Sequence, residues 1–423
     1  MKRLDRKGLA RLNHILIPAT KGERDRWRRG RTGKVVSVAL TGYLSLTEEG
    51  RFLSVAWLLV ASLGVEVRAN QVHLIWCLLT GVFVASVLLR RFYKLDARLD
   101  LEVPERVTVD EPLEIGVVIE NRSARDALAI RVQRPLLPFD GRWTGAPSVV
   151  RKIEPGETRR AATSAAFATR GVHHLDPFYA GCIVPLGVTV GPSLESPAAR
   201  FVVVPRIAPV ARLRVEMATR YQPGGVALAS QIGESRELMG LRPYRPGDRV
   251  RDLSARGWGR VGYPVVREYQ EEYFTRVGVV LDTDGLDGDE RGLEAAISLA
   301  AGVVAHFTRG EALIDLLVVG DKLHRLTLGR SLGFLEQALD LLAAVEPSAG
   351  FDQERVSSIL TPHLSRLSCV VFVARVEDEG RRALVRRVRS TGTGCRALVV
   401  GESLGGFAAV PLERIERREE LHL

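Results

Sequence analysis

Two acidic residues in the C-terminal half, Asp282 and Asp284, have the types and the spacing that could do chemistry. They lie in VVLDTDGLDG (279–288), directly after an apolar run that is typical of a strand. Two carboxylates placed this way serve three known purposes. In a phosphatase the first carboxylate attacks phosphorus and the second donates a proton. In a calcium loop the two carboxylates are the first ligands of the ion. In a magnesium site they bind the ion together with hydroxyl groups.

A calcium loop requires oxygen ligands at fixed later positions. Counted from Asp282, its fifth position is Leu286 and its twelfth is Leu293, where a carboxylate is required. Neither leucine side chain carries an oxygen. The spacing therefore argues against a calcium loop.

A phosphatase of the haloacid-dehalogenase type is the main enzymatic alternative, because VVLDTDG is a fair match for its nucleophile strand. In that enzyme Asp282 would attack phosphorus and Asp284 would donate the proton. The reaction also needs a lysine that holds phosphate and a further acidic pair for Mg²⁺. No lysine follows Lys322, and the pair Glu377-Asp378 stands at a predicted helix start. A metal-dependent hydrolase that uses the same two aspartates is the related possibility.

The elements around the two aspartates predict an α/β domain over residues 274–423. Apolar strands are predicted at 275–282, 312–320, 368–376 and 395–401. Amphipathic helices are predicted between them, at 291–307, 331–345 and 379–390. This alternation is typical of a doubly wound sheet. In such a sheet ligands bind at the carboxyl ends of the strands, where Asp282 and Asp284 would lie.

Residues 95–205 have a different pattern, with short β-rich runs of period two separated by Pro, Gly and Asn. This spacing predicts an antiparallel β-sandwich of immunoglobulin-like type. Such a domain usually separates other domains or binds a partner, and it does not usually catalyse a reaction. Residues 206–233 are predicted to be a linker, which ends in YQPGGVALAS.

Two apolar runs, 52–65 and 72–89, predict a pair of transmembrane helices over residues 51–91. Lys and Arg are dense before the first run and after the second, so the positive-inside rule puts both termini in the cytoplasm. We therefore expect a multi-pass protein of the bacterial inner (plasma) membrane. It would contact lipids through residues 52–89 and its basic N-terminus. A buried helical hairpin of a soluble protein is the alternative.

The net charge of +10 is concentrated in the N-terminal segment, residues 1–50. Residues 1–34 hold twelve Lys/Arg and three Asp/Glu, and the rest of the chain is close to neutral. This distribution argues against nucleic-acid binding. The four cysteines form no CxxC pair, and the neighbouring His173 and His174 would face opposite sides of a strand. We therefore expect neither a zinc site nor a cofactor.

Two short motifs match known signatures but lack the required context. GWGRVG (257–262) has the pattern of a dinucleotide loop, yet no strand precedes it and YPVVREY, not a helix, follows it. VVGESLGG (399–406) places Ser403 in a hydrolase-like G-x-S-x-G pattern. After Ser403 the chain contains one histidine, His422, and no aspartate. We expect neither activity.

The most distinctive stretch is the arginine-rich segment 234–272. Residues 236–267 contain eight arginines and three acidic residues, and RPGD (245–248) is typical of a type II turn with Gly247 at positive φ. The arginines either brace the segment against the α/β domain or form a face for a partner. Arg242, outside the turn, is a candidate contact for a partner. The carboxylates available for bracing are Glu234, Glu237, Asp248, Asp252, Glu268, Glu271 and Glu272.

This segment resembles the signature of a family, domain of unknown function 58. The matching residues form Gly-Leu-Arg-x-Tyr-Arg-Pro-Gly-Asp and a later Val-Arg-Glu: Gly240, Leu241, Arg242, Tyr244, Arg245, Pro246, Gly247, Asp248, Val266, Arg267 and Glu268. Many members have a basic N-terminus, two membrane helices, a β-sandwich and a C-terminal von Willebrand factor A-like domain. The resemblance implies that order here. It also implies a partner and no reaction, since members are often encoded beside MoxR-type AAA ATPases.

The chain departs from this family in one place. Members usually carry Ile-His-Trp or Ile-Asp-Trp after the Gly-Asp, whereas this chain has Asp252, Leu253 and Ser254, with Trp258 slightly later.

The expected von Willebrand factor A-like domain has a degenerate metal site. Such a site needs Asp-x-Ser-x-Ser together with a Thr and an Asp from later loops. Here Asp284 and Leu286 replace the two serines, Phe351 lies near the Thr position, and Arg375 lies near the later Asp. Because Leu, Phe and Arg side chains do not act as ligands of a metal ion here, Asp282 and Asp284 are expected to be vestigial.

These features predict a non-catalytic, membrane-anchored interaction or scaffold protein. Its expected partner is a MoxR-type AAA ATPase, or a client complex of that ATPase, in a cell-envelope or complex-assembly role. The alternative is a metal-dependent hydrolase or a phosphatase that uses Asp282 and Asp284.

Overall fold

A computed structural model describes four stretches of the chain: residues 45–63, 71–216, 238–269 and 276–423, with short gaps at 139, 147–148, 249, 285–288, 310–311, 321–322, 329–331 and 349. The chain is a mixed α/β protein with several sheets. Its contacts divide it into two compact units, Met1–Arg206 and Ile207–Leu423. Most of the basic N-terminal segment and of the predicted linker lies outside the described residues.

The first unit begins with two apolar helices, α1 (Glu48–Leu63) and α2 (Gln71–Leu89). They contact each other through Trp57. Its Nε1 donates a hydrogen bond of 2.8 Å to Thr80 Oγ1, and its ring stacks on Trp76. The two helices therefore pack along one side through aromatic and polar contacts.

One helix of the described chain, Gln71–Phe92, is long and apolar enough to cross a membrane. With 16 residues, α1 is shorter than a span requires. Large apolar side chains remain exposed along both helices: Phe52, Val55, Leu58, Leu59, Leu74, Ile75, Leu78, Val84, Val87 and Leu88. Exposed apolar surface of this extent is typical of contact with lipid or with another protein.

The start of α1 and the end of α2 attach to the same turn of the first unit. Ahead of α1, the backbone N–H of Thr47 donates to the carbonyl of Val188 over 3.1 Å. Just after α2, Arg90 Nε donates to the carbonyl of Val190 over 2.9 Å. A Cβ on Gly50 would collide with the Val188 carbonyl oxygen, so glycine is needed for this close approach. The two helix ends therefore lie on one side.

The rest of the first unit is β-structure. Its strands are β1 (Ala97–Glu102), β2 (Arg106–Thr108), β3 (Leu113–Asn121), β4 (Ala127–Gln133), β5 (Gly141–Trp143), β6 (Val149–Ile153), β7 (Thr158–Phe167), β8 (Gly171–Leu175), β9 (Tyr179–Cys182), β10 (Leu194–Glu195) and β11 (Ala199–Val204). Two antiparallel four-stranded sheets have the orders β1-β3-β7-β5 and β10-β9-β4-β6, and a third sheet has the order β2-β11-β8.

These sheets share one hydrophobic core. Ile115 and Val117 from β3, Ile130 from β4 and Phe201 from β11 are all buried in it. Alternate residues of β3 face this core, in line with the period-two pattern of the sequence. A common core between antiparallel sheets is what a β-sandwich requires.

The second unit begins with β12 (Val210–Arg212) and a hairpin that the sequence did not predict. The hairpin consists of β13 (Leu238–Pro243) and β14 (Val265–Tyr269). Between these strands lie a short 3-10 helix, Val250–Asp252, and α3 (Ala255–Val261). The arginine-rich segment therefore has a compact structure of its own.

A six-stranded sheet follows in this unit. Its elements are β15 (Arg276–Asp282), α4 (Glu290–Arg309), β16 (Leu313–Val319), β17 (Leu323–Leu328), α5 (Leu332–Ala343), α6 (Gln353–Leu364), β18 (Cys369–Ala374), α7 (Glu379–Ser390), β19 (Gly394–Val400), β20 (Ala408–Val410), α8 (Leu412–Glu416) and β21 (Leu421–His422). The sheet order is β17-β16-β15-β18-β19-β20, and β17 alone is antiparallel. Counted from β15, this is the 3-2-1-4-5-6 order of a doubly wound sheet.

The first residues of the predicted linker belong to this second unit. β12 pairs with β21, and the backbone N–H of Ala208 donates to the Ser298 carbonyl of α4 over 3.1 Å. A Cβ on Gly302 would collide with the Ala208 carbonyl, so this glycine allows the chain to lie against α4. The stretch predicted as a linker therefore includes a strand, β12, that belongs to the second unit.

Candidate functional site

Asp282 and Asp284 lie where the sequence predicted, at the carboxyl end of β15. This strand is central in the sheet, between β16 and β18, at the point where the strand order reverses. Crevices for ligands form at such points in doubly wound sheets. Asp282 is only 1% exposed, and its Oδ1 accepts a hydrogen bond of 3.1 Å from the backbone N–H of Asp284.

The guanidinium of Arg381 fills the space between the two aspartates. Its Nε donates to Asp282 Oδ2 over 2.6 Å, and its Nη2 donates to Asp284 Oδ2 over 2.8 Å. The remaining nitrogen, Nη1, binds Asp378. The Arg381 side chain is 2% exposed. A fixed positive charge therefore lies where a bound cation or a phosphate would meet these carboxylates.

Phe351 and Arg375 complete this edge of the sheet. The Arg381 Cζ lies 4.6 Å from the centroid of the Phe351 ring, which is a cation–π distance. Arg375 Nε donates to the backbone carbonyl of Asp284 over 3.2 Å, and its Nη1 lies 3.8 Å from Asp289 Oδ2. Both residues therefore lie beside the two aspartates. Their assignment to the Thr position and to the later Asp position of a metal site stays a prediction.

Helix α7 positions Arg381. Asp378 caps the helix, because its Oδ1 accepts from the backbone N–H of Arg381 over 2.8 Å. Arg381 then lies on the buried stripe of α7 together with Leu384, Val385 and Val388, at helical spacing. The same aspartate thus fixes both the helix start and the guanidinium that the helix carries.

The protonation states follow from this burial and pairing. Burial raises the pKa of Asp282 above its usual value, and the Arg381 guanidinium opposes that rise. Burial alone would lower the pKa of Arg381, but Asp282, Asp284 and Asp378 raise it above its usual value. Arg381 is therefore held in its charged form.

This geometry has direct chemical consequences. Both oxygens of Asp282 are engaged, so attack on phosphorus would require Arg381 to withdraw first. The carboxylates of Asp282, Asp284 and Asp378 each pair with a different nitrogen of Arg381, so the guanidinium lies between their oxygens. Within the described stretches, no group of three or more His, Cys, Asp or Glu side chains is arranged to hold a metal ion. Leu286 and Lys322 lie outside those stretches.

A second ion pair organises the neighbouring loop. Glu377 Oε1 accepts from Arg382 Nε over 2.7 Å and from the backbone N–H of Gly406 over 2.8 Å. Its Oε2 accepts from the N–H of Leu404 over 2.8 Å and lies 2.9 Å from Ser403 Oγ. Burial opposes ionisation, but these four donors lower the pKa of Glu377 to about 2. The Ser403 hydroxyl thus contributes to loop structure.

The hairpin brings together the two halves of the family-like signature. Its register pairs Gly240 with Glu268, Leu241 with Arg267 and Arg242 with Val266. The side chains of Leu241 and Val265 lie against Gly257 of α3, where a Cβ would be 2.7 and 2.8 Å away from them. Residues that are distant in the sequence motif therefore form one structural unit.

Arg242 supports the RPGD turn. Gly247 has a φ of 104°, and the backbone N–H of Asp248 donates to the Arg245 carbonyl over 3.0 Å, as a type II turn requires. Arg242 Nη1 donates to Asp248 Oδ2 over 2.7 Å, and its Nη2 donates to Asp248 Oδ1 over 2.8 Å. These bonds, with one from the Arg245 N–H, lower the pKa of Asp248 to about 2. Arg242 lies outside the turn in the sequence, but β13 brings its side chain back onto Asp248.

The residues that depart from the family signature start a helix. Leu253 forms a bridge with Val266, and Ser254 caps α3 by accepting from the N–H of Gly257 over 3.2 Å. Gly262 then ends α3 with a φ of 78° and donates to the Trp258 carbonyl. The dinucleotide-like GWGRVG is therefore a short helix with its C-cap, and a strand, β14, follows it.

The other arginines of this segment that the structure describes are exposed to solvent: Arg245, Arg251, Arg256, Arg260 and Arg267. Arg251 lies 4.0 Å from Asp252. Over the part of the chain that the structure describes, Arg256, Arg260 and Arg267 have no carboxylate within ion-pair distance. Half-exposed or exposed apolar side chains accompany them: Leu241, Tyr244, Val250, Trp258, Val261 and Tyr263. Of the carboxylates expected to brace the segment, Glu234, Glu237, Glu271 and Glu272 lie outside the described residues.

Sequence reasoning missed Arg381, which organises the carboxyl edge. A signal was present in EGRRALVRRVRS: Arg381 shares the helical spacing of Leu384, Val385 and Val388. A charged residue within an apolar stripe is a candidate for a buried ion pair. The partner of that pair could not be read from the sequence, since Asp282 lies 99 residues away.

No family model matches the chain, and no curated protein does so either. Among solved structures, a CARDB domain from Pyrococcus furiosus is similar over 26% of this chain and 90% of its own, with 14% identity and a TM-score of 0.19. An aerotolerance-related membrane protein from Bacteroides fragilis NCTC 9343 is similar over 31% of this chain and 70% of its own, with 16% identity and a TM-score of 0.24. These TM-scores are too low to assign a fold or an activity.

Proposed function

We propose that this chain is a non-catalytic, membrane-anchored interaction protein that works with a MoxR-type AAA ATPase in a cell-envelope or complex-assembly role. The observation that carries the proposal is the buried Arg381 guanidinium between Asp282 and Asp284. It satisfies both carboxylates internally, which supports our proposal that the α/β domain is a von Willebrand factor A-like domain with a degenerate metal site. The resemblance to domain of unknown function 58 supports the choice of partner.

The contacts at the carboxyl edge weigh against the enzymatic alternative. A phosphatase nucleophile must reach its substrate, whereas Asp282 is buried and bound on both oxygens. Withdrawal of Arg381 would leave a buried charge without its partner, which typically costs about 3–5 kcal/mol. A metal-dependent hydrolase faces the same obstacle.

Several features support a two-helix anchor with both termini in the cytoplasm. The exposed apolar faces of α1 and α2 suit a lipid environment. Both outer helix ends attach to the turn that contains Val188 and Val190, which suits a hairpin that enters and leaves the membrane on one side. The basic residues 1–34 and Arg90, Arg91 and Lys94 then lie on that cytoplasmic side.

The hairpin and α3 supply the docking face. Arginine, tryptophan and tyrosine are the residues that most often dominate binding energy at protein interfaces. Arg256, Arg260, Trp258 and Tyr263 are exposed together on this small element. The turn and the helix caps hold these side chains in a fixed arrangement.

Capture of a purified partner tests this function. The tagged, full-length chain in detergent should retain the purified MoxR-type ATPase of the same bacterium, and Asp282→Asn should retain it equally. Both chains should leave p-nitrophenyl phosphate unhydrolysed in Mg²⁺. Failure to capture the ATPase with and without ATP, or a phosphatase activity that Asp282→Asn abolishes, would overturn the proposal.

The topology is tested separately. A reporter fused after Leu423 should be active in the cytoplasm, and a cysteine at Ala69 should be labelled from outside the cell. An untagged chain labelled at Ala69 is the control for effects of the fusion. A periplasmic reporter signal would contradict the two-helix anchor and leave the binding experiment unaffected.

A further inference from the structure

The solvent side of α3 has arginines on one flank and an aromatic residue on the other. Gly257 faces the hairpin, since a Cβ there would meet Leu241 and Val265. With 3.6 residues per turn, Gly259 lies almost opposite Gly257, on the solvent side. Arg256 and Arg260 then lie on one flank of this crest, and Trp258 lies on the other.

The crest at Gly259 is open. A Cβ built on Gly259 has no atom within 4 Å, so a partner could approach the helix backbone closely there. Trp258 is 45% exposed and Tyr263 is 50% exposed, so each presents part of its ring. Arg256 and Arg260 are exposed and have no carboxylate partner in the described chain.

This face is rigid before any partner arrives. Ser254 caps the start of α3, and Gly262 ends it in the left-handed conformation. The Arg242–Asp248 pair fixes the adjacent turn. Preorganised surfaces of this kind lose less conformational entropy on binding.

We propose that this α3 face, defined as Arg256, Trp258, Gly259, Arg260 and Tyr263, binds a carboxylate-rich segment of the protein partner that also carries an apolar side chain. The partner's carboxylates pair with the planar guanidiniums of Arg256 and Arg260, which suit bidentate contacts. Its apolar side chain packs over Gly259 against Trp258. This inference rests on the proposed function, because it names the chemistry of the partner at that docking face.

Two other occupants fit less well. The N-terminal residues 1–34 of this chain carry a net charge of +9 and would be repelled by Arg256 and Arg260. Insertion into a bilayer requires apolar side chains that reach well into the headgroup region. Trp258 and Tyr263 are 45% and 50% exposed, so about half of each side chain packs within this protein and is not available for insertion.

Two substitutions of Gly259 test the inference, because the open space lets each variant fold. Gly259→Glu should bind the purified ATPase about tenfold more weakly than its size-matched control Gly259→Gln, since a carboxylate beside Arg256 and Arg260 repels an acidic partner. Equal melting temperatures check the fold. Equal binding of the Glu and Gln variants would overturn the inference.

Synthetic peptides separate this inference from the proposed function. A peptide of alternating Glu and Leu should bind the full-length chain more tightly than one of alternating Glu and Ser, and one of alternating Lys and Leu should not bind. If the Glu/Leu peptide binds and the ATPase does not, the proposed function fails and the α3 face stands as a binding site for acidic segments. If the ATPase binds both Gly259 variants equally, the face fails and the proposed function stands.

A membrane outcome is measured in the same protein. Hydrogen exchange of residues 254–262 should be unchanged between nanodiscs of phosphatidylcholine alone and nanodiscs that also contain phosphatidylglycerol. Slower exchange with the anionic lipid, together with no binding of the Glu/Leu peptide, would assign the face to the membrane and overturn the inference.

Discussion

Two places in the second unit use the same side chain in opposite ways. At the carboxyl edge of the sheet, Arg381 is buried among Asp282, Asp284 and Asp378, and every nitrogen with a hydrogen to donate has a carboxylate. On α3, Arg256 and Arg260 are exposed beside Trp258 and have no carboxylate in the described chain. The first site uses its charge to complete the fold, whereas the second leaves its charge available.

The difference between the two places comes from the apolar residues around each arginine. The side chains of Leu384, Val385 and Val388 bury the face of α7 that carries Arg381, so its charge requires internal partners. In α3 the residue that faces the hairpin is Gly257, and the arginines lie to one side of it. A high arginine content therefore does not by itself identify a binding surface.

The largest expected effect is at Arg381. Arg381→Ala leaves Asp282 and its neighbours buried without a counter-charge, so we expect a loss of about 3–5 kcal/mol in the free energy of unfolding. Urea unfolding followed by circular dichroism measures it. The control is Arg386→Ala on the same helix, which removes an exposed pair with Glu379 and should cost less than about 1 kcal/mol. Similar costs for both variants would show that the Arg381 cluster is not a structural centre.

A smaller effect is expected in the hairpin. Gly247 has a φ of 104°, which a β-branched residue tolerates poorly, so Gly247→Val should cost about 1–3 kcal/mol. Hydrogen exchange of residues 240–248 should become faster at the same time, because the turn that holds Arg242 on Asp248 is lost. Gly240→Ala is the control, since a Cβ there has no atom within 4 Å. An unchanged melting temperature in Gly247→Val would contradict a rigid turn.

The buried Glu377 carboxylate should make the stability of the fold depend on pH, as a second internal ion pair of this unit. The native pKa of Glu377 is lowered from 4.5 to about 2, so the ionised carboxylate stabilises the fold. That stabilisation is fully present above about pH 4.5 and is lost as the pH falls towards about 2. Melting temperatures across this window should fall less steeply in Glu377→Gln than in the wild-type chain. Glu413→Gln, an exposed residue of α8, should retain the wild-type slope, and a wild-type slope in Glu377→Gln would refute the assignment.

Local patterns in the sequence were sufficient for the elements that position the site. The helix predicted at 379–390 and the strand ending at Asp282 match the structure, because each has a strong hydrophobic period of its own. Gly247 was identified from the turn chemistry of RPGD alone. Helix α6 was missed because QERVSSILTPHL is polar and contains Pro362, although Asp352 caps it.

The pairings that give the site its character depend on tertiary structure. Arg381 meets Asp282 only because β15 and the start of α7 reach the same edge of the sheet. Arg242 binds Asp248 only because the end of β13 and the turn that follows it bring the two side chains together. Composition also concealed the hairpin, since alternation is weak in GLRPYRPGDR and its partner strand lies beyond α3.

The smallest expected effect is the response to Mg²⁺. If Arg381 supplies the positive charge between Asp282 and Asp284, a divalent cation has no favourable position there, since it would also be repelled by Arg375. Millimolar Mg²⁺ or Ca²⁺ should therefore leave the melting temperature of the full-length chain unchanged, and Asp282→Asn should be equally insensitive. A cation that bound the native fold would raise its stability in proportion to the logarithm of its concentration above the dissociation constant. Stabilisation of the wild-type chain by more than about 1 kcal/mol that Asp282→Asn abolishes would mean that Arg381 yields to a metal, and the contrast between a closed edge and an open α3 face would no longer hold.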